Sequence, residues 1–359
     1  KVAPAAQDTL DEAALEEELR RALEEEADSL TEQAPSVAPL PRGGSSGGRT
    51  LNPRISVVGT FFAAGTGNQA TAKTYDGGLS EAEISLNAYV DPYSKADFFV
   101  AFRHETEDPF EGPDSGIAAE GEFAPELEEA FFTTLSLPFG LQIKAGKFRS
   151  NFGKINQTHP HAYNFLDMPR MYVNFLGEEG LGDRGVSVNW LVPNPLDFYQ
   201  ELTVEITSGA VESPSFAGGS NKLLYLGHLK NFFDLTENAT LELGFTGVVG
   251  PHNGAGNETR IGAVDVTYRW KPLRRNRYQS VEWMTEALIS EHREPGGTIT
   301  SRALYSFLRY QLARRWFLGA RFDYSEFPDN RHRNEKAYSL ILSFFATEYQ
   351  KIEVQYQHG

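Results

Sequence analysis

The residues best equipped for chemistry in this 359-residue chain are scattered carboxylates and guanidiniums and one close pair of histidines, His159 and His161. Two imidazoles flanking a proline are metal-ligand types, but a metal centre needs a third donor, and the sequence shows none at ligand spacing. They read as structural histidines of a folded loop, with no metal and no other cofactor expected. There is no cysteine to serve as nucleophile. No GxSxG elbow joins a strand to a helix, and there is no HExxH helix or phosphate-cradling glycine loop. The glycines within 43–48 lie among Pro, Arg and Ser in a linker. Asn238-Ala239-Thr240 and Asn257-Glu258-Thr259 match the glycosylation pattern as any three-residue motif does by chance. The sequence predicts no enzyme. A net charge of −16 argues against a nucleic-acid partner, since phosphates need basic neighbours.

The charged residues matter through their spacing. Over residues 81–90, Glu81, Glu83, Ser85, Asn87 and Tyr89 alternate with Ala82, Ile84, Leu86, Ala88 and Val90. Period two places the two sets on opposite faces of a strand. The pattern recurs after a turn at 91–94, and again around Ile143, Val188, Val204, Leu243, Val266, Ala320 and Val354. It marks fifteen strands, starting near 55, 79, 95, 123, 141, 184, 199, 222, 239, 259, 279, 301, 316, 335 and 350.

A soluble β-sandwich alternates too, so three further features decide. The strands run about 10–13 residues, enough to cross a bilayer at a tilt. Short turns, near 91–94, 138–140, 194–198, 234–238, 272–278, 313–315 and 346–350, alternate with longer loops near 66–78, 108–122, 150–184, 209–221, 251–258, 292–300 and 328–334. Aromatics such as Tyr199, Tyr268, Trp270, Trp316 and Phe317 collect at strand ends, as an interfacial girdle requires. No run of eighteen apolar residues exists, which excludes a helical membrane protein but not a barrel. The expected fold is therefore all-β, a transmembrane antiparallel β-barrel of the bacterial outer membrane. An odd number of antiparallel strands does not close, so about 16 are expected, with one more beyond Gly359. A barrel of that size leaves an aqueous channel.

Residues 51–359 form this barrel unit. Before it, 34–50 reads as a Pro/Gly/Ser linker. Within 1–33, Leu15, Leu19, Ala22, Leu23, Ala27 and Leu30 mark one face of an amphipathic helix, periplasmic in this reading and a candidate short coiled coil.

The longest connection, 150–184, is rich in apolar and aromatic residues that a solvated loop does not need. It is expected to fold inward and narrow the barrel, with His159, His161, Asp167, Arg170, Glu178 and Glu179 fixing its shape. Period two assigns Glu83, Asp97, Arg103, Lys144, Arg149, Glu205, Glu242, Arg269 and Arg321 to the pore lining. Across all inward positions acids outnumber bases, which points to an unselective or weakly cation-preferring pore. In the opposing reading the charges pair across strands and brace the wall. That reading makes the molecule a structural or adhesive barrel plugged by its own loops.

The stretch LQIKAGKFRSNFG (Leu141–Gly153), the following HPHAYNF and the segment GEEGLGDRGVSVNWLVP resemble the phosphate-selective porin O and P family. The resemblance implies a 16-stranded porin, often trimeric, preceded by a periplasmic helical segment. Its partners are then membrane lipid, small hydrophilic solutes that diffuse passively, and two further copies of the chain. Phosphate selectivity does not transfer, because the family's phosphate channels line the pore with arginine and lysine.

Overall fold

The computed structural model describes residues 53–66, 75–104, 123–196, 198–211, 213–217, 222–252, 257–294 and 296–359. The helix and linker expected for 1–33 and 34–50 lie outside the described residues. Fifteen strands run in chain order. The first five are β1 (Arg54–Gly65), β2 (Tyr75–Asp91), β3 (Ser94–His104), β4 (Phe123–Thr134) and β5 (Leu141–Arg149). β6 (Gly182–Leu191), β7 (Tyr199–Thr207), β8 (Leu224–Thr236), β9 (Ala239–His252) and β10 (Asn257–Trp270) follow. The last are β11 (Val281–Glu294), β12 (Gly297–Ala313), β13 (Trp316–Glu326), β14 (Asn334–Phe345) and β15 (Lys351–His358).

Each strand pairs antiparallel with its sequence neighbours in one 15-stranded sheet, with no crossover. β1 and β15 are its edges and do not pair with each other, so the sheet is not closed. Every expected strand is present. The largest offsets are at β2, which begins at Tyr75 rather than 79, and β12, which begins at Gly297 rather than 301.

Two of the longer loops are tighter than the sequence suggested. β9 reaches His252 before β10 begins at Asn257, and β11 pairs through Glu294 with Gly297 of β12. Gly297, the pairing partner of Glu294, sits at φ 143°, where a side chain is strained. Backbone pairing continued past the point where the hydrophobic alternation faded.

The burial pattern is inverted relative to a soluble protein. On β14, Tyr338, Leu340 and Leu342 are exposed, while the alternate Ala337, Ser339, Ile341 and Ser343 are buried. Val204 and Ile206 on β7, Leu318 on β13, and Ile352, Val354 and Tyr356 on β15 extend the same exposed apolar band. Soluble monomers rarely expose contiguous apolar area beyond a few hundred Å². An outward apolar face of this extent is what a lipid-facing barrel wall presents. Among the described residues, no helix is long and apolar enough to cross a membrane. Of the strand-end aromatics, Tyr268, Trp270 and Trp316 share the outward face. Tyr199 and Phe317 do not: the Tyr199 hydroxyl donates to Glu201, and Phe317 packs with Phe345 beneath Arg309 on the inner side.

Candidate functional site

The inner face of the sheet is organised by the segment between β5 and β6. Its neck is closed where the Ser150 amide donates to the Leu181 carbonyl at 2.8 Å. Buried Asn156 clasps the same point. Its Nδ2 donates to the carbonyls of Ser150 and Leu181, and its Oδ1 accepts from the Leu181 amide. Beyond the neck lies one short helix, α1 (Arg170–Leu176), which follows Pro169 and buries Met171, Tyr172, Phe175 and Leu176. These apolar residues explain why the segment folds in rather than out. They join Phe152, Ile155, Phe165 and Leu181 in a cluster with inward-facing side chains of β8 to β12 and β14, among them Val248, Ile261, Leu288, Tyr305, Phe307 and Ile341.

At the centre of that apolar contact is one carboxylate. Glu286, 1% exposed, accepts hydrogen bonds from the hydroxyls of Tyr172 (2.6 Å) and Tyr305 (2.5 Å) and from the amides of Lys154 (3.0 Å) and Ile155 (3.2 Å). Four donors offset its burial. Gly153 makes the approach feasible: a Cβ there, at φ 55°, would lie 2.0 Å from the Glu286 carboxylate. Further along, Arg321 of β13 bonds Asp167 of the segment at 2.8 Å and Asp323 of its own strand at 2.7 Å. Asp323 also accepts from the Arg170 amide, and Gln355 of β15 bonds both Asp167 and the Leu166 amide.

The opposite side of the segment meets charge instead of hydrocarbon. In β4 one extra residue, Glu128, bulges out of the pairing with β3, between Glu129 opposite Phe99 and Leu127 opposite Val100. A bulge resets the alternation, so two successive glutamates face inward, both buried. His159 lies between them. Its Nδ1 is 2.9 Å from Glu83 and 3.0 Å from Glu128, and its Nε2 is 3.0 Å from Glu129. With a carboxylate at each ring nitrogen, both nitrogens donate, which is the imidazolium form. Burial works against that charge, but the Glu129 and Glu83 carboxylates outweigh it and push the His159 pKa up to about 9. His161 stacks on His159 and points Nδ1 at Glu83 from 3.4 Å. Arg103 of β3 ties Glu81 (2.8 Å), Glu126 (3.1 Å), Glu128 and, from the segment, Glu179 (3.3 Å). Arg149 bonds Glu128 and the Glu179 carbonyl. Beside this network a cavity of about 580 Å³ is lined by charges of both signs, including Glu126, Lys147, Glu178, Glu179 and Arg184.

The other sequence-assigned residues fall as follows. Asp97 takes Asn87 and Lys95, Arg269 pairs with Glu282, and Glu242 binds Lys154 of the segment. Glu205 is fully buried against Asn151, and Lys144 lies over the rings of Phe131 and Phe148. Arg149 differs from the rest. Strict alternation from Ile143 and Ala145 would carry it outward, so its assigned place on the pore side is reached only because, as the last residue of β5, it turns into the Glu128 network. Most of these charges are paired with a neighbour or with the segment. Sequence reasoning missed Asn156 and Tyr305 altogether. Tyr305 carried a usable signal, because it occupies an inward position of β12 where a solvated wall has no need of a large aromatic. Asn156 carried none.

No family model matches the chain. A curated protein of Aquifex aeolicus (strain VF5), described only as uncharacterised, is 31% identical over 320 residues. The match covers 77% of this chain but 62% of that protein, so the chain spans less than two thirds of its relative's length. Among solved structures, OprB of Pseudomonas putida is similar at a TM-score of 0.55, with 10% identity over 85% of this chain and 88% of that one. OmpT, an outer membrane protein of Vibrio cholerae, gives 0.52, with 10% identity and 84% of each chain covered. A second OmpT structure, titled a trimer form, gives 0.51 over 85% of this chain and 88% of that one, also at 10% identity. At such identities the likeness concerns the fold, which is that of outer-membrane β-barrels.

Proposed function

We propose that this chain is an outer-membrane channel through which small hydrophilic solutes and ions diffuse passively, narrowed by the segment 150–184. The observation that carries the reading is the division of the sheet's two faces. One presents a continuous apolar band, and the other a wall of charged side chains crossed from β2 to β15 by that one segment. The paired lumenal charges support weak selectivity, with the excess of acids favouring cations. β1 begins on the short-turn side of the sheet, which in bacterial barrels is the periplasmic side, so residues 1–33 read as a periplasmic helix joined by the linker 34–50. The finer kinship, with the phosphate-selective porin O and P family, rests on the segments around Leu141–Gly153 and Gly177–Pro193. The trimer it implies finds support in the trimer form of OmpT.

Purified protein added to a planar lipid bilayer tests the proposal. Steady, ohmic single-channel steps bear it out. A second reading, a structural barrel plugged by its own loop, is favoured by the apolar cluster that fills the β8–β14 side. Silence in the bilayer from protein that has inserted selects this second reading.

A further inference from the structure

At the long-loop rim, on strands that take no part in the His159 network, two histidines and a carboxylate converge across β10. His252 ends β9, while His292 and Glu294 lie near the end of β11. In the ladder, His252 pairs with Asn257 and His292 with Thr259 of the intervening strand. One donor atom from each of the three lies within 4.8 Å of the others. The His292 ring is 1% exposed and bonds the Thr259 hydroxyl through Nδ1 at 3.0 Å. Its Nε2 is buried and has no hydrogen-bond partner among the described residues, and the nearest carboxylate oxygen, of Glu294, is 3.7 Å away. His252 likewise leaves a buried Nδ1 without a partner. The two rings lie 3.5 Å apart between centroids, too close for two imidazolium charges. A neutral ring keeps one lone pair, and with the Thr259 hydroxyl accepting the Nδ1 proton of His292 that lone pair lies on the unpartnered Nε2.

A buried ring nitrogen left without a partner is costly, and one on each histidine, with a carboxylate beside them, suits a cation bound among the three. We propose that His252, His292 and Glu294 bind one transition-metal ion of the Zn²⁺ class at this rim. Two imidazoles with one carboxylate suit Zn²⁺, Cu²⁺, Ni²⁺ or Fe²⁺, whereas Ca²⁺ and Mg²⁺ require mostly oxygen. The Thr259 hydroxyl is the outer partner that orients a metal-bound imidazole. Glu294, partly exposed, gives the ion a route in from the rim, and the bound ion clips β9 to β11.

The test uses the full, untagged chain, purified in detergent, stripped with EDTA and titrated with Zn²⁺ alone, with Co²⁺ as optical reporter. One equivalent is expected to bind, with visible Co²⁺ bands of a histidine-ligated site. Thr259→Val, which keeps side-chain volume, weakens binding about 10- to 100-fold. His252→Asn and Glu294→Gln lose stoichiometric binding, with the strand signature in circular dichroism retained. His159→Ala binds as the parent does. The proposal is overturned if the parent shows no saturable binding, if His252→Asn keeps its equivalent, or if His159→Ala loses it.

Discussion

The segment between β5 and β6 is held by two walls of opposite character. Toward β8–β12 and β14 it presents Phe152, Phe165 and Tyr172 to Tyr305, Phe307 and Ile341, around the Glu286 carboxylate saturated by donors. Toward β2–β5 it presents His159, His161 and Glu179 to a set of carboxylates shared with Arg103 and Arg149. The apolar wall holds by excluded water and shape, and depends little on pH or salt. The charged wall holds only while its protons and counter-charges are in place. One side therefore anchors the segment, while the other is the side from which it can be loosened. The cavity of about 580 Å³ lies beside the charged wall.

The largest effects belong to the anchor and to the ion cluster and neck that adjoin it. Phe307→Ala removes a fully buried ring that meets Phe165 edge-on at 5.3 Å, and should cost about 3–5 kcal/mol in urea unfolding from detergent or lipid. Arg321→Met leaves Asp323 buried beside Asp167 without its counter-charge, with an expected loss of about 3–5 kcal/mol by the same measurement. Asn156→Ala strands the Leu181 amide at the neck and should cost about 1–3 kcal/mol.

On the charged wall the decisive variable is pH. The His159 pKa, raised from its ordinary 6.5 to about 9, lies above its unfolded value. Its contribution is thus complete below about pH 6.5 and is lost as pH rises through about 9. Channel noise should grow and the unfolding midpoint fall between pH 7 and 10, while His159→Gln gives a flat profile over that window. A pH dependence unchanged by His159→Gln would erase the distinction between the walls. The smallest effect is expected at Glu179, whose side chain is 65% exposed where it meets Arg103: Glu179→Ala should alter stability by less than about 0.5 kcal/mol.

The strands were legible because lipid on one side and water or charge on the other force a period of two, which Leu340/Leu342 against Ser339/Ser343 display plainly. The inward destination of 150–184 was legible from its surplus of apolar residues. Its register was not. Nothing local to His159 announces Glu83, Glu128 and Glu129, because the first lies on β2, three strands before β5, and the other two share a face only through a bulge. The same holds for His252 and His292, brought together by the stagger of three strands. Arg149 shows the converse limit: alternation stops where a strand ends, and the side chain there follows its partners.

Substituted cysteines test the central claim most directly, because the chain has no cysteine of its own. Lys144→Cys and Leu340→Cys are reconstituted in planar bilayers and exposed to a charged, water-soluble thiol reagent. The account predicts that modification changes the current through Lys144→Cys and leaves Leu340→Cys untouched in lipid. Equal reaction at both positions, or reaction at Leu340→Cys alone, would contradict it.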